Sequence, residues 1–374
     1  MPKGKSISNL KFPDDLDELQ RNVEYHNRRN IDRLLELSDD LTFQRPKLGL
    51  TLALAAKELL GKVRLRDRKS RAQYELRVDA VLGTAHRAAG EPEEAFSIYT
   101  KRLEEFPAAI NDCSFLCRFG VLFADMEEWV EARECTNKAI ALNTCAESLL
   151  CRAYVCINGY WSGEDFDIKN AAEDSLQVLR NTQPSKRNLR IFCTALHNLT
   201  VVLLERRLDR KRISEVLKLV DWLYRKHLSG KMKNRWNLPY AKLRWVRGLA
   251  HSAVGSYALA VRDLDEARLV LAKVRAKPDL ARASLDLVEI LLDAGGREAR
   301  LRIPKLADEI INLQGPQDKK SLSVLQAWRQ MIQDGRVSDQ AWNDVLLHVR
   351  GRKTRRRGNP WEIGSAKDID TLGF

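Results

Sequence analysis

The chain has 374 residues, a net charge of +13 from 64 Lys and Arg against 51 Asp and Glu, and only 11 Pro and 19 Gly. That length suits two or three ordinary domains or one repeat array with a continuous core, and abundant Leu, Ala, Arg and Glu favour helix over strand. Arg, Lys or Glu breaks every apolar stretch short of the roughly 18 residues a membrane span needs, and the start MPKGKSISNLKFPDDLDELQ lacks the apolar segment of a secretory signal, so a cytoplasmic protein without a membrane partner is expected.

In chain order, the amphipathic stretch Leu16 to Leu37 predicts capping helices within residues 1–45, and Pro46 opens a helix through Leu60. A repeating frame then begins. From Leu76 to Ala109 it places Leu82-Gly83, Gly90 at a turn, Ala95, Tyr99 and Pro107 in order, with His86 between the first two glycines. From Cys113 the same spacing gives Phe119-Gly120, Phe123, Ala132 and Ala139. From Ala241 it gives Gly248, His251, Gly255, Ala260, Leu264 and Ala267. A degenerate copy from Ala281 keeps Leu287, Leu291, Gly295 and Ala307, with Arg300 where Ala is expected.

Two further helix pairs fit between these. Cys193 to Tyr224 places Leu196, Leu199, Thr200 and Leu203 on one helix and Val216 and Leu219 on the next. Leu149 to Pro184 fits if the loop around Trp161-Ser-Gly-Glu-Asp is an insertion. Glycine and alanine at fixed places let two helices approach closely, while Leu, Phe and Tyr fill the gaps between neighbouring pairs. The array is expected over residues 46–320, a C-terminal cap with Trp328 and Trp342 over 321–349, and a basic tail over 350–374.

These Leu-Gly, turn-Gly, Ala and Pro positions resemble the tetratricopeptide-repeat superfamily from roughly Pro46 to Leu313. More narrowly, LRWVRGLAHSAVGSYALAVRDLDEAR is similar to the repeat half of bacterial regulators that carry a helix-turn-helix domain in front. The residues before Pro46 are too few, and lack the small-residue turn, for that front domain. The resemblance implies an all-α, right-handed superhelical solenoid of antiparallel helix pairs whose first helices line a groove. Its groove positions map onto Arg77, Thr84, Arg87, His197, Lys242, Trp245, Ser252, Arg282 and Glu289. Several are basic or aromatic, which suits an acidic peptide, a C-terminal carboxylate or nucleic acid.

The tail holds Arg350, Arg352, Lys353, Arg355, Arg356 and Arg357 before Trp361. It reads either as a phosphate-contacting arm or as a solvated charge run. Basic stretches at Lys62 to Arg77 and at Arg206, Arg207, Arg210, Lys211 and Arg212 read chiefly as exposed helix faces. Seven Cys crowd the middle without a CxxC pair, and several take small apolar slots of the repeat, so buried reduced thiols are expected and no metal. His86 and His251 share one repeat position, which marks them as packing residues. Without a phosphate loop, HExxH or GxSxG, the chain reads as a non-enzymatic, cofactor-free adaptor or sensor for a protein partner, with nucleic-acid binding as the alternative.

Overall fold

Fourteen α-helices and no strand form residues 26–43, 45–65, 67–185, 188–205, 210–223, 225, 238–274, 276–294 and 296–314, which are those the computed structural model describes. Packing divides the chain into two units, Met1–Cys151 and Arg152–Phe374. The expected C-terminal cap over 321–349 and the tail over 350–374 lie outside the described residues, as does the part of the N-terminal capping stretch before residue 26.

In the first unit, α1 (Arg28–Thr42) pairs with α2 (Pro46–Lys62), α3 (Arg68–Ala89) with α4 (Pro92–Glu105), and α5 (Cys113–Asp125) with α6 (Trp129–Leu142). A single 3-10 turn, Pro107–Asn111, joins α4 to α5. Local chemistry sets these boundaries. The side chains of Asn27, Asp67 and Asp112 accept from the backbone N–H of Asn30, Ser70 and Phe115, satisfying donors that the first turn leaves open. Pro46 and Pro92 stand in the first turn, where their missing N–H costs nothing.

The division between units falls within α7 (Ala146–Ser162). The second unit continues with α8 (Ile168–Asn181), α9 (Leu189–Glu205), α10 (Arg210–Leu223), α11 (Leu238–Ala253), α12 (Tyr257–Lys273), α13 (Lys277–Ala294) and α14 (Gly296–Gln314). Within each unit first helices lie side by side: α3 packs on α1 and α5, and α11 on α9 and α13. This is the pairwise stacking of antiparallel helices in a helical repeat.

One register governs four of the pairs. Gly83, Gly120, Gly159 and Gly248 each stand nine residues before the second helix begins, at Pro92, Trp129, Ile168 and Tyr257. Twelve residues after each glycine comes a fully buried alanine: Ala95, Ala132, Ala171 and Ala260. A Cβ on Gly83 would lie 2.5 Å from Tyr99 Cε2, one on Gly120 2.9 Å from Thr136 Cγ2, and one on Gly248 2.0 Å from Leu264 Cδ1. The two helices of a pair therefore touch where neither can carry a larger side chain.

The pair from α7 to α8 corrects the sequence reading, because it contains no insertion. Ile168 keeps the common distance from Gly159, but α7 stops early at Ser162 and Gly163 turns the chain at φ 85°. The longer turn lets Phe166 fold back over Gly159, where a Cβ would meet its ring at 2.4 Å.

Between pairs, aromatic rings fill the gap. Tyr99 of α4 stacks on Phe119 of α5 at 5.1 Å and meets Phe115 edge-on at 5.2 Å, while Phe96 lies 6.0 Å from Phe123. Within pairs, buried ions join first helix to second. Arg102 Nε donates to Asp79 at 2.7 Å, Arg152 forks onto Asp174 at 2.8 and 2.7 Å, and Arg244 Nη1 donates to Asp263 at 2.6 Å. His86 and His251, expected as packing residues, are mostly buried and each faces an acid: His86 Nδ1 is 2.7 Å from Glu91, and His251 Nε2 is 3.8 Å from Asp263.

The register yields opposite outcomes at two positions. Gly83→Ala, which drives a methyl into a buried and hydrogen-bonded Tyr99, is expected to destabilise the first unit by about 1–3 kcal/mol in urea unfolding. Glu127 occupies the left-handed turn position with φ 64° that Gly90 and Gly255 fill elsewhere, so Glu127→Gly is expected to stabilise by roughly 0.5–1 kcal/mol in the same measurement.

Candidate partner-binding face

In the first unit the exposed side of the first helices carries a ladder of ion pairs. Arg77 donates to Asp32 of α1 at 2.6 Å, and Arg87 to Asp125 of α5 at 2.7 Å, with its guanidinium 5.5 Å from the Phe43 ring centroid. Arg118 of α5 forks onto Asp39 of α1 at 2.8 and 2.9 Å. These two helices flank α3, so their side chains meet over it, and the face is concave there. Thr84 of α3 lies beneath, buried, with its hydroxyl 2.9 Å from Ala80 O and 3.3 Å from Arg118 Nη1. Burial opposes the charge on Arg118, but Asp39 outweighs it and holds the guanidinium above its ordinary pKa. Three cations of this face are thus answered by carboxylates of the same unit.

The second unit is built differently. Arg282 of α13 donates to Asn158 of α7 at 3.1 Å and sits 5.9 Å from the Tyr154 ring. Helix α13 packs beside α11, and α11 beside α9, so a contact back to α7 requires the first helices to curve with this side concave. On that side the rings of His197 (α9) and Trp245 (α11) are 4.6 Å apart, and Trp245, itself buried, donates its indole N–H to Asp286 at 2.6 Å. Burial, reinforced by the positive fields of Lys242 and Arg282, pushes the His197 imidazole down to about 3. Its Nδ1 is enclosed and has no hydrogen-bond partner among the described residues. Lys242, half-buried on α11, forms no ion pair among the described residues.

Of the residues expected in the groove, the structure brings together His197, Lys242, Trp245 and Arg282. Ser252 and Glu289 lie partly buried on α11 and α13, while Arg77, Thr84 and Arg87 belong to the first unit. Arg350, Arg352, Lys353, Arg355, Arg356, Arg357 and Trp361 lie outside the described residues. Sequence reasoning missed Arg118 and Asn158, which stand two residues before Gly120 and one before Gly159. Their functional signal was their distance from those glycines, at register places not counted as groove-lining.

No protein-family profile matches the chain, and no curated relative matches it. Among solved structures, a tetratricopeptide repeat protein from Parabacteroides merdae is similar, with a TM-score of 0.37 and 18% identity over 75% of this chain and 98% of that one. At such a score the whole-chain likeness decides nothing, and the repeat assignment rests on the register within each unit. No helix among the described residues is long and apolar enough to cross a membrane.

The His197 environment has a thermodynamic signature. The unfolded chain binds a proton near pH 6.5 while the folded ring stays neutral to about 3, so protonation favours the unfolded state as pH falls between those values. Stability is expected to be complete above pH 6.5 and to decline by up to about 1.4 kcal/mol per pH unit below it. Replacing the ring by His197→Phe should flatten that part of the profile in thermal melts from pH 7 to 4.5.

Proposed function

We propose that the protein is a non-enzymatic adaptor or sensor that holds an acidic peptide segment of a partner protein on the first-helix face of its second unit. The observation that carries this reading is the convergence of α7, α9, α11 and α13 around Lys242 and Arg282, with Lys242 unanswered by any carboxylate among the described residues. A carboxylate arriving there finds a cation that no internal ion pair must first release, unlike Arg87 or Arg118 in the first unit. The indole beneath is fixed by its hydrogen bond to Asp286 and packs against the imidazole, which favours a face set before the partner arrives. A regulatory role in the cytoplasm belongs to the same proposal. Its supports are the resemblance to repeat-bearing bacterial regulators and seven thiols that form no disulfide.

The test is selection of a displayed random-peptide library on the full-length protein, followed by titration of the winners. Peptides rich in Asp and Glu should be enriched, and Lys242→Glu should weaken their binding by about tenfold or more, a loss of ~1.4 kcal/mol. Lys138→Glu, an exposed change on a second helix of the other unit, should leave it unchanged. Absence of acidic enrichment, equal affinity in the Lys242 variant, or a preference for RNA over every peptide would each reject the reading.

A further inference from the structure

On the first-helix face of the second unit, Lys242 is half-buried and forms no ion pair among the described residues. Arg282, on the neighbouring first helix α13, donates to a neutral group, the Asn158 side-chain oxygen, at 3.1 Å. Both cations bear on one spot, the His197 ring, whose basicity they lower together. In the first unit, by contrast, Arg77, Arg87 and Arg118 are covered by Asp32, Asp125 and Asp39. The second face therefore carries a positive potential that carboxylates from elsewhere would relieve.

The chain itself supplies such carboxylates beyond α14. Residues 361–374 read WEIGSAKDIDTLGF, in which Glu362, Asp368 and Asp370 outnumber the single cation Lys367, and Ile369, Leu372 and Phe374 lie among and after the acids. Asp368 and Asp370 stand two apart, so an extended backbone would turn both carboxylates to one side, about 7 Å apart, with Ile369 opposite. The basic run from Arg350 to Arg357 precedes them. A cationic face repels that run and attracts the acids, which sets the direction in which the segment would engage. Residues 315–360 join the segment to α14, which belongs to the same unit as the face. At up to ~3.3 Å per residue that stretch can reach past any helix of the unit. A second acidic run, Asp14, Asp15, Asp17 and Glu18, instead precedes α1 of the first unit.

We propose, as an extension that rests on the peptide-binding reading, that residues 361–374 are an internal ligand of this face, with Asp368 and Asp370 set against Lys242 until an acidic partner peptide displaces them. The contact is autoinhibitory. A tethered ligand meets its site at an effective concentration on the order of millimolar for a short linker, falling as the linker lengthens. A contact too weak to hold a free peptide can therefore still occupy the face, and a partner must outcompete it. Because exposed charges are screened over about 8 Å at physiological salt, occupancy falls as salt rises.

The experiment treats the dilute full-length protein with a carbodiimide, which joins a carboxylate to an amine in direct contact, and maps the linked peptides of the monomer band by mass spectrometry. The expected product is an amide between Lys242 and Asp368 or Asp370, weakened by high salt and lost in the double variant Asp368→Asn, Asp370→Asn. In parallel, a labelled synthetic peptide of residues 361–374, amidated at its end so that only side-chain carboxylates count, is titrated against both proteins. It should bind the double variant about tenfold more tightly than the unaltered chain, whose own segment competes, and adding Lys242→Glu to the double variant should abolish that binding. No link to Lys242 in the monomer, links from Lys242 only to residues 14–18, links only between two chains, or equal affinity for the two proteins would overturn the proposal. If acidic library peptides still bind at Lys242 in that event, the peptide-binding reading stands without it; if no acidic peptide binds at all, both fall.

Discussion

The structure depends on the contact between the two helices of each pair, made where a glycine faces an alanine twelve residues on. Removing the side chain at Gly83, Gly120, Gly159 and Gly248 lets the second helix lie close, with Ala95, Ala132, Ala171 and Ala260 fully enclosed. Dispersion forces fall steeply with separation, so this approach is what makes a pair of short helices cohere. A pair still exposes apolar surface on both flanks. The Phe96, Tyr99, Phe115, Phe119 and Phe123 group shows how neighbours cover it, with rings of one pair set into the next.

A second layer of specificity comes from buried ions. Asp263 is entirely enclosed and accepts from both Arg244 and Arg247, and burial pushes its carboxyl up to about 6 against the pull of Arg244 and His251. Arg102 occupies the place that alanine fills at Ala139 and Ala267, and its charge is met by Asp79 on the facing helix. Such pairs contribute little net stability over apolar packing, yet leaving either partner alone inside costs several kcal/mol, on the order of 3–5. They therefore discriminate against a shifted register more than they strengthen the right one.

The fold was legible because glycine, alanine and aromatic residues recur at fixed distances, and their physical roles are local. The α7–α8 pair was misread because its turn departs from the others: Gly163 replaces the later glycine and Phe166 fills the vacated space, which looks like inserted sequence. The candidate face was legible in part. Lys242, Trp245, His197 and Arg282 could be placed on first helices from the register alone. That Trp245 and Thr84 point into the protein, and that Arg77, Arg87 and Arg118 are answered by Asp32, Asp125 and Asp39, depends on partners up to 79 residues away. Spacing within one repeat does not carry that information.

The two units consequently present different electrostatics on equivalent helices. In the first, cations and carboxylates close over α3 and satisfy one another. In the second, curvature brings Arg282 to Asn158 above a neutral imidazole, beside a lysine that forms no ion pair among the described residues. The most direct measurement of this contrast is photo-cross-linking of a bound acidic peptide to the full-length protein, with the adducts mapped by mass spectrometry. Adducts on α9, α11 and α13 near Lys242 are the predicted result. Adducts confined to the second helices α8 and α12, or to the first unit, would contradict it.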